Sequence, residues 1–154
     1  MSIVLDATVL SQLCVPRRNP ALVSWFESLL RLDEGAVSVV VPEIADYEVR
    51  RGLLELALRE GRTETKAIQR LDAIQGLCRY LPLDTSTMQR AALLWAQARR
   101  RGRPTAPPLG LDADAILAAQ AQAVGGTIIT DNIRHLEQFG PAKRWQDIDP
   151  EALG

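Results

Sequence analysis

The feature that most restricts this chain is the alternation of short, β-branched apolar runs with long helical stretches. Val37-Ser38-Val39-Val40-Val41 is nearly continuous in side chains that favour a strand covered on both faces. Ile3-Val4-Leu5 and Ile128-Ile129 are shorter runs of the same kind, Tyr80 to Asp84 is a weak strand, and a terminal strand is expected around Trp145. Between them the spacing predicts helices from about Thr8, through Leu22-Trp25-Phe26-Leu29-Leu30, and from Glu43 to about Glu60, opened by Pro42 and closed by Gly61. Further helices are expected from about Thr63 to Arg79, with Ala67, Leu71, Ile74 and Cys78 on one face, from Ser86 to Arg101, and from Asp112 to about Val124, with a short one before Trp145. Such alternation predicts an α/β/α sandwich, a central parallel sheet flanked by helices.

The 154 residues are read as a single domain, 1–154, long enough to bury a real core. At 47% apolar and 24% charged residues the balance is that of a soluble globular protein rather than a disordered one. No apolar run approaches the roughly 18 residues of a membrane span, and MSIVLD has no basic stretch of the kind that opens a secretion signal. Cys14 and Cys78 form no CxxC and no disulfide framework, so a cytoplasmic location is expected. RPTAPPLG is the only Pro-rich connection and is too short for a domain linker.

Several chemistries drop out for want of residues. The single histidine, His135, and two scattered cysteines do not supply a zinc ligand set. There is no GxSxG elbow to build a triad on, and neither GxxxxGK[ST] nor GxGxxG to cradle phosphate. Catalysis, if there is any, falls to carboxylates.

Ligands of open parallel sheets lie beyond the carboxyl ends of the strands. Asp6 follows Ile3-Val4-Leu5 directly, and Asp131 follows Thr127-Ile128-Ile129-Thr130 directly, although Asp131 also reads as an ordinary turn residue. Glu48 lies one helical turn from Ile44 and from Gly52, on a stripe where an unpaired charge is expensive; a salt bridge with Arg50 or Arg51 is the alternative account. Glu43, Asp46 and Glu55 are ordinary acids of that helix. In LDADAILAAQA, Asp112 and Asp114 point to nearly opposite sides of a helix, so both cannot face one site. Asp112 reads as the N-cap with Asp114 in the first turn, and the reverse holds if the helix begins later.

IVLDATVL, YEVRRGL, LDADAILAAQA and IITDNIRHL, in this order and spacing, resemble the PIN-domain ribonucleases, in particular the toxins of VapC-type toxin–antitoxin pairs. The resemblance covers essentially the whole chain. It implies a PIN-like fold and a metal-dependent endoribonuclease whose acids are Asp6, Glu48, Asp114 and Asp131, with Asp112 able to share in the site. It further implies Mg²⁺ or Mn²⁺ as cofactor, RNA as substrate and a cognate antitoxin as partner. These hard cations prefer carboxylate oxygen and water, and they can activate water while neutralising charge on a cleaved phosphodiester. Asp6 and Asp114 are assigned as direct metal ligands, with Glu48 and Asp131 acting through water, on the nucleophile or on a second ion. The sequence departs from the family pattern at Ala7, where Thr is usual; Thr8 keeps a hydroxyl within reach of Asp6.

The net charge of −1 gives no overall basic footprint, so RNA attraction must be local. Arg50, Arg51, Arg134 and His135 lie near the proposed acids; Arg99 to Arg101 with Arg103 read first as cations at a helix end. Trp25, Trp95 and Trp145 fall in apolar contexts and read as core. Leu53, Leu54, Leu56 and Leu58 exceed what one sheet face needs, so a homodimer is expected. A receiver-type signalling module fits poorly, since no Asp follows Val37–Val41. A PIN-like interaction module without activity, or an RNA-processing nuclease without an antitoxin, remains the rival.

Overall fold

The computed structural model describes residues 1–33, 35–101 and 108–154, without the side chains of 108–110. The elements run β1 (Ser2–Leu5), α1 (Ala7–Leu13), α2 (Pro20–Leu30), β2 (Ser38–Pro42), α3 (Glu43–Arg59), α4 (Lys66–Leu77), β3 (Arg79–Leu81), α5 (Thr85–Arg100), α6 (Pro108–Ala123), β4 (Thr127–Ile129), α7 (Ile133–Leu136) and β5 (Ala142–Lys143). The five strands form one sheet in the order β3-β2-β1-β4-β5, all parallel. This is the expected α/β/α sandwich.

The period of two in each strand feeds two cores. Ile3, Leu5, Val39, Val41 and Ile129 point to one face, beneath Val9, Leu10 and Leu13 of α1, Leu22, Trp25, Phe26 and Leu29 of α2, and Leu71 and Ile74 of α4. Val4, Val40 and Ile128 point to the other, beneath Ala91, Leu94 and Ala98 of α5 and the small-residue face of α6. Ala115, Ala118, Ala119 and Ala121 let that helix lie close to the sheet. Helix α3 serves both cores, giving Ala45 and Val49 to the first and Ile44 to the second. It therefore straddles the sheet's carboxyl edge.

Several boundaries differ from the sequence expectation. Helix α4 stops at Leu77, and Cys78 is already extended, because Arg79–Leu81 pairs with Val40–Pro42 as β3. The terminal strand is Ala142–Lys143, while Trp145–Asp147 is a 3-10 turn that packs Trp145 against Trp25 at 6.0 Å. Helix α6 begins at Pro108, four residues before Asp112. Proline is at home in a helical first turn, so Asp112 is not the cap but an exposed residue within the helix. The rest of RPTAPPLG, with Arg103, lies outside the described residues.

Gly61 closes α3 with φ +68, while the Arg62 amide donates to the Ala57 carbonyl at 2.9 Å. Among the described residues no helix is long and apolar enough to cross a membrane.

Candidate active site

Asp6 sits where β1 ends and α1 begins, 7% exposed, at the carboxyl edge of the sheet's central strand. Its Oδ1 accepts the Ala7 amide at 2.7 Å, as a helix N-cap does. Its Oδ2 accepts two hydroxyls, Thr130 Oγ1 at 2.6 Å and Thr8 Oγ1 at 3.0 Å. Backbone amides fix which way those hydroxyls face. The Asp131 amide donates to Thr8 Oγ1 at 3.1 Å and the Asn132 amide to Thr130 Oγ1 at 2.9 Å. Each hydroxyl has one proton, and with a lone pair already taken by an N–H, that proton is free for Asp6. The β1–α1 and β4–α7 junctions thus lock one carboxylate between them.

Thr8 does what the sequence allowed it to do. The hydroxyl lost at Ala7 does not leave Asp6 loose, because Thr130, fully buried, supplies a second one. Thr130 escaped the sequence reading; the available signal was a hydroxyl residue directly continuing a strand whose next residue is a candidate acid.

Glu48, from α3, and Asp114, from α6, join Asp6. Burial pushes Glu48 up to about 7, helped by the charge of Asp6 and then Asp114, against the lowering effect of Arg51. Burial likewise pushes Asp114 up to about 6, with the Asp6 charge adding to it. Three carboxylates from three elements therefore share one field. Arg51 offers Glu48 only a loose contact, Nη2 to Oε2 at 3.9 Å, so the salt-bridge account of Glu48 is weak. His135 Nδ1 lies 3.9 Å from Asp114 Oδ2, placing the lone histidine at the same edge.

Asp131 stands at the same edge, where its amide donates to Thr8 Oγ1. It is exposed, and its Oδ2 accepts from Gln12 Nε2 of α1 at 2.7 Å. Asp112 lies elsewhere, in a recess of about 400 Å³ between α5 and α6 that includes Met88, Trp95 and Ile116. Arg50 is also corrected: its guanidinium grips Asp46 at 3.1 and 3.0 Å and Asp72 at 2.7 Å, so it pins α3 to α4 rather than facing the acids. A second residue missed in the sequence is Gln120, 0% exposed. Its Oε1 accepts the Ile44 amide at 3.2 Å and its Nε2 donates to the Leu81 carbonyl at 2.8 Å, tying the helix of Asp114 to the start of the helix of Glu48.

Among the described residues no three of His, Cys, Asp and Glu stand close enough to grip one ion together. The carboxylate oxygens of Asp6, Glu48 and Asp114 are nonetheless hard donors of the type that Mg²⁺ and Mn²⁺ take alongside water. An all-oxygen donor set with a locked Asp6 fits that group.

The PIN-domain family model matches residues 3–139. The chain belongs to the PIN-domain family. No curated protein matches this PIN domain in sequence. Its fold is similar to that of VapBC2 from Rickettsia felis bound to a DNA fragment from their promoter, at 14% identity and TM-score 0.72, over 94% of this chain and 99% of that one. VapBC-1 from nontypeable Haemophilus influenzae is similar at 16% identity and TM-score 0.70, over 95% and 99% of the two chains. FitAcB from Neisseria gonorrhoeae matches at 24% identity and TM-score 0.68, also over 95% and 99%. At these identities the likeness speaks for the PIN fold alone.

Proposed function

We infer that this PIN-domain protein, read as one domain over 1–154, is a Mg²⁺- or Mn²⁺-dependent endoribonuclease, the toxin of a VapC-type pair. The observation that carries the reading is the convergence of Asp6, Glu48 and Asp114 from three elements, with the charge of Asp6 raising both others. A structural cap needs no such convergence. Keeping three acids together with only the loose contact of Arg51 to offset them costs folding free energy, and a site that takes up a divalent cation is the plainest reason to hold them so.

Asp6 and Asp114 are the residues that would hold the ion. Asp6 still has lone-pair capacity after accepting Ala7, Thr8 and Thr130, and those bonds aim it. The bound ion would supply charge neutralisation at the phosphodiester and acidify water. Glu48, with its affinity for a proton raised to about 7, is suited to take the proton from an attacking water. Asp131, held by Gln12, would serve a second ion or an ordered water.

The antitoxin reading draws on the VapBC and FitAcB neighbours and on a groove lined from α3 and the start of α4. The groove, about 690 Å³, includes Leu53, Leu56, Arg18, Lys66 and Arg70. An apolar floor with a rim in which Arg17, Arg18, Arg62, Lys66 and Arg70 outnumber Glu60 suits a peptide segment with apolar anchors and acidic flanks.

The test is cleavage of RNA by the purified chain with Mn²⁺ or chelator. Asp6→Asn or Asp114→Asn should lower the rate by orders of magnitude, while Glu55→Gln, whose carboxylate pairs with exposed Arg59 at 2.8 Å, should not. Wild-type activity in Asp6→Asn would sink the assignment. No cleavage by the wild type, with no stabilisation by Mn²⁺, would favour the inactive interaction module. Co-expression with the product of a short upstream reading frame tests the partner: co-purification and inhibition are expected.

A further inference from the structure

Gln12 belongs to none of the acids, yet its amide is engaged on every side. Nε2 lies 2.7 Å from Asp131 Oδ2 and 2.7 Å from the Thr8 carbonyl, and Oε1 lies 2.9 Å from Asn19 Nδ2. The direction in which this amide faces follows from bonding capacity. Asn19 Oδ1 accepts the Leu22 amide at 3.2 Å as the N-cap of α2, so the end of Asn19 left for Gln12 is its NH₂. A donor there requires Gln12 to answer with Oε1. Its NH₂ must then face Asp131 and the Thr8 carbonyl, neither of which has a proton to give. The cap of α2 is thus linked through Gln12 to a carboxylate at the end of β4.

We propose that Gln12 is a positioning residue that holds the Asp131 carboxylate for a divalent cation at the rim of the acid cluster, and that Asn19 sets the facing of its amide. The proposal rests on the metal-dependent nuclease reading above. The Gln12 bond fixes one oxygen of Asp131 and with it the plane of the carboxylate, where an exposed, freely rotating Asp would sample several directions. Second-layer hydrogen bonds of this kind typically change metal affinity 10- to 100-fold when removed.

The experiment is calorimetric titration of the full chain with Mn²⁺ alone, without RNA, for wild type and variants. Gln12→Ala and Asp131→Asn should each weaken Mn²⁺ binding about tenfold, at the low end of that range for an exposed site. The double variant should be no weaker than Asp131→Asn, since Gln12 acts only through that carboxylate; general damage to the fold would instead add. Asn19→Asp gives a second handle. It keeps the oxygen that caps α2 but sets a carboxylate oxygen against Gln12 Oε1, so the donor that anchors the Gln12 amide is lost whichever way that amide faces. Binding should again weaken, with the metal-free melting temperature close to wild type. Ser11→Ala, which removes only an exposed bond to the Thr8 carbonyl at 3.2 Å, should bind as wild type does. Wild-type affinity in Gln12→Ala beside a weakened Asp131→Asn overturns the role of Gln12 and leaves the nuclease reading standing. Wild-type affinity in Asp131→Asn beside loss in Asp6→Asn removes Asp131 from the site and overturns the proposal. Absence of any Mn²⁺ binding by the wild type overturns both.

Discussion

The Asp6 carboxylate accepts three hydrogen bonds, two from hydroxyls whose own acceptor sites are filled by the Asp131 and Asn132 amides. Thr130→Val keeps the shape and deletes the hydroxyl, leaving the Asn132 amide without its partner. We expect a loss of about 1–3 kcal/mol in urea unfolding, the cost of an unsatisfied polar group in a buried place, and cleavage slowed about tenfold or more. Unchanged unfolding would mean that water replaces the hydroxyl. Glu48 yields a pH prediction. Raised from 4.5 to about 7 by burial first and Asp6 second, it binds a proton in the folded state over a range where the unfolded chain has released it. Metal-free stability should therefore fall as pH rises from about 4.5 to 7, with the full cost present above 7 and none below 4.5. Asp114, raised to about 6, adds a slope of the same sign at lower pH. Thermal melts in chelator should show the wild type losing stability across this window, and Glu48→Gln losing less. Parallel profiles for the two would show that Glu48 is not held in that field. Mn²⁺ should offset the cost, by roughly 3 kcal/mol at a hundredfold excess over its dissociation constant.

At the scale of elements, the site depends on how α3 and α6 are held. Gln120 spans them, and removing its amide would leave the Ile44 N–H and Leu81 C=O without partners in the interior. Gln120→Met fills similar volume, so its expected cost of about 2–5 kcal/mol comes from two orphaned groups rather than a cavity. Denaturant unfolding measures it, and a cost below about 1 kcal/mol would mean that the helices are held by packing alone. The turn from α6 into β4 makes a different demand. A Cβ on Gly126 would come 2.6 Å from Val4 Cγ2 and 3.2 Å from the Ser2 carbonyl, so Gly126→Ala should destabilise by about 1–3 kcal/mol as β4 is pushed off β1. Because Thr130 and Asp131 follow β4, the same substitution should also weaken Mn²⁺ binding. The elements themselves were largely readable in the sequence. The nearly unbroken apolar run at 37–41 marks a strand covered on both sides, and Pro42 and Gly61 bracket α3. The misplaced end of α4 has a cause elsewhere in the chain: Cys78 and Arg79 could continue the helix by pattern, and pairing with β2 draws Arg79 into the strand expected from Tyr80.

Over the whole molecule, apolar side chains remain in water on more than one face. On α3, Tyr47 is 56% exposed and Leu58 is 61% exposed, on one outer stripe, while Leu56, 56% exposed, turns to the groove beside the acids. Leu53, counted with them in sequence, is partly buried against the first core. The outer stripe suits a second copy of the chain and the groove suits a partner segment, so the two should be separable. Light scattering at tens of micromolar should give a dimer, and Leu58→Glu should shift it to monomer without loss of co-purifying partner. A wild type that remains monomeric would mean that the outer stripe is simply exposed.

The sequence by itself determined the order and type of the elements, the two-sided sheet, and the candidacy of Asp6, Glu48 and Asp114. Hydrophobic period and strand-end position are local properties, and they survive folding unchanged. Tertiary structure alone decided what surrounds each acid. Thr8 lies 122 residues from Thr130, Gln12 lies 119 from Asp131, and Ile44 lies 76 from Gln120, so no window of sequence contains these pairs. It also separated near neighbours: Arg50 went to Asp72 while Arg51 stayed near Glu48, and of Asp112 and Asp114, which helix spacing already set apart, it brought the second to Asp6. A hydrogen bond needs a partner within about 3 Å, and only the assembled parallel sheet, bringing the carboxyl ends of β1 and β4 side by side, sets those distances.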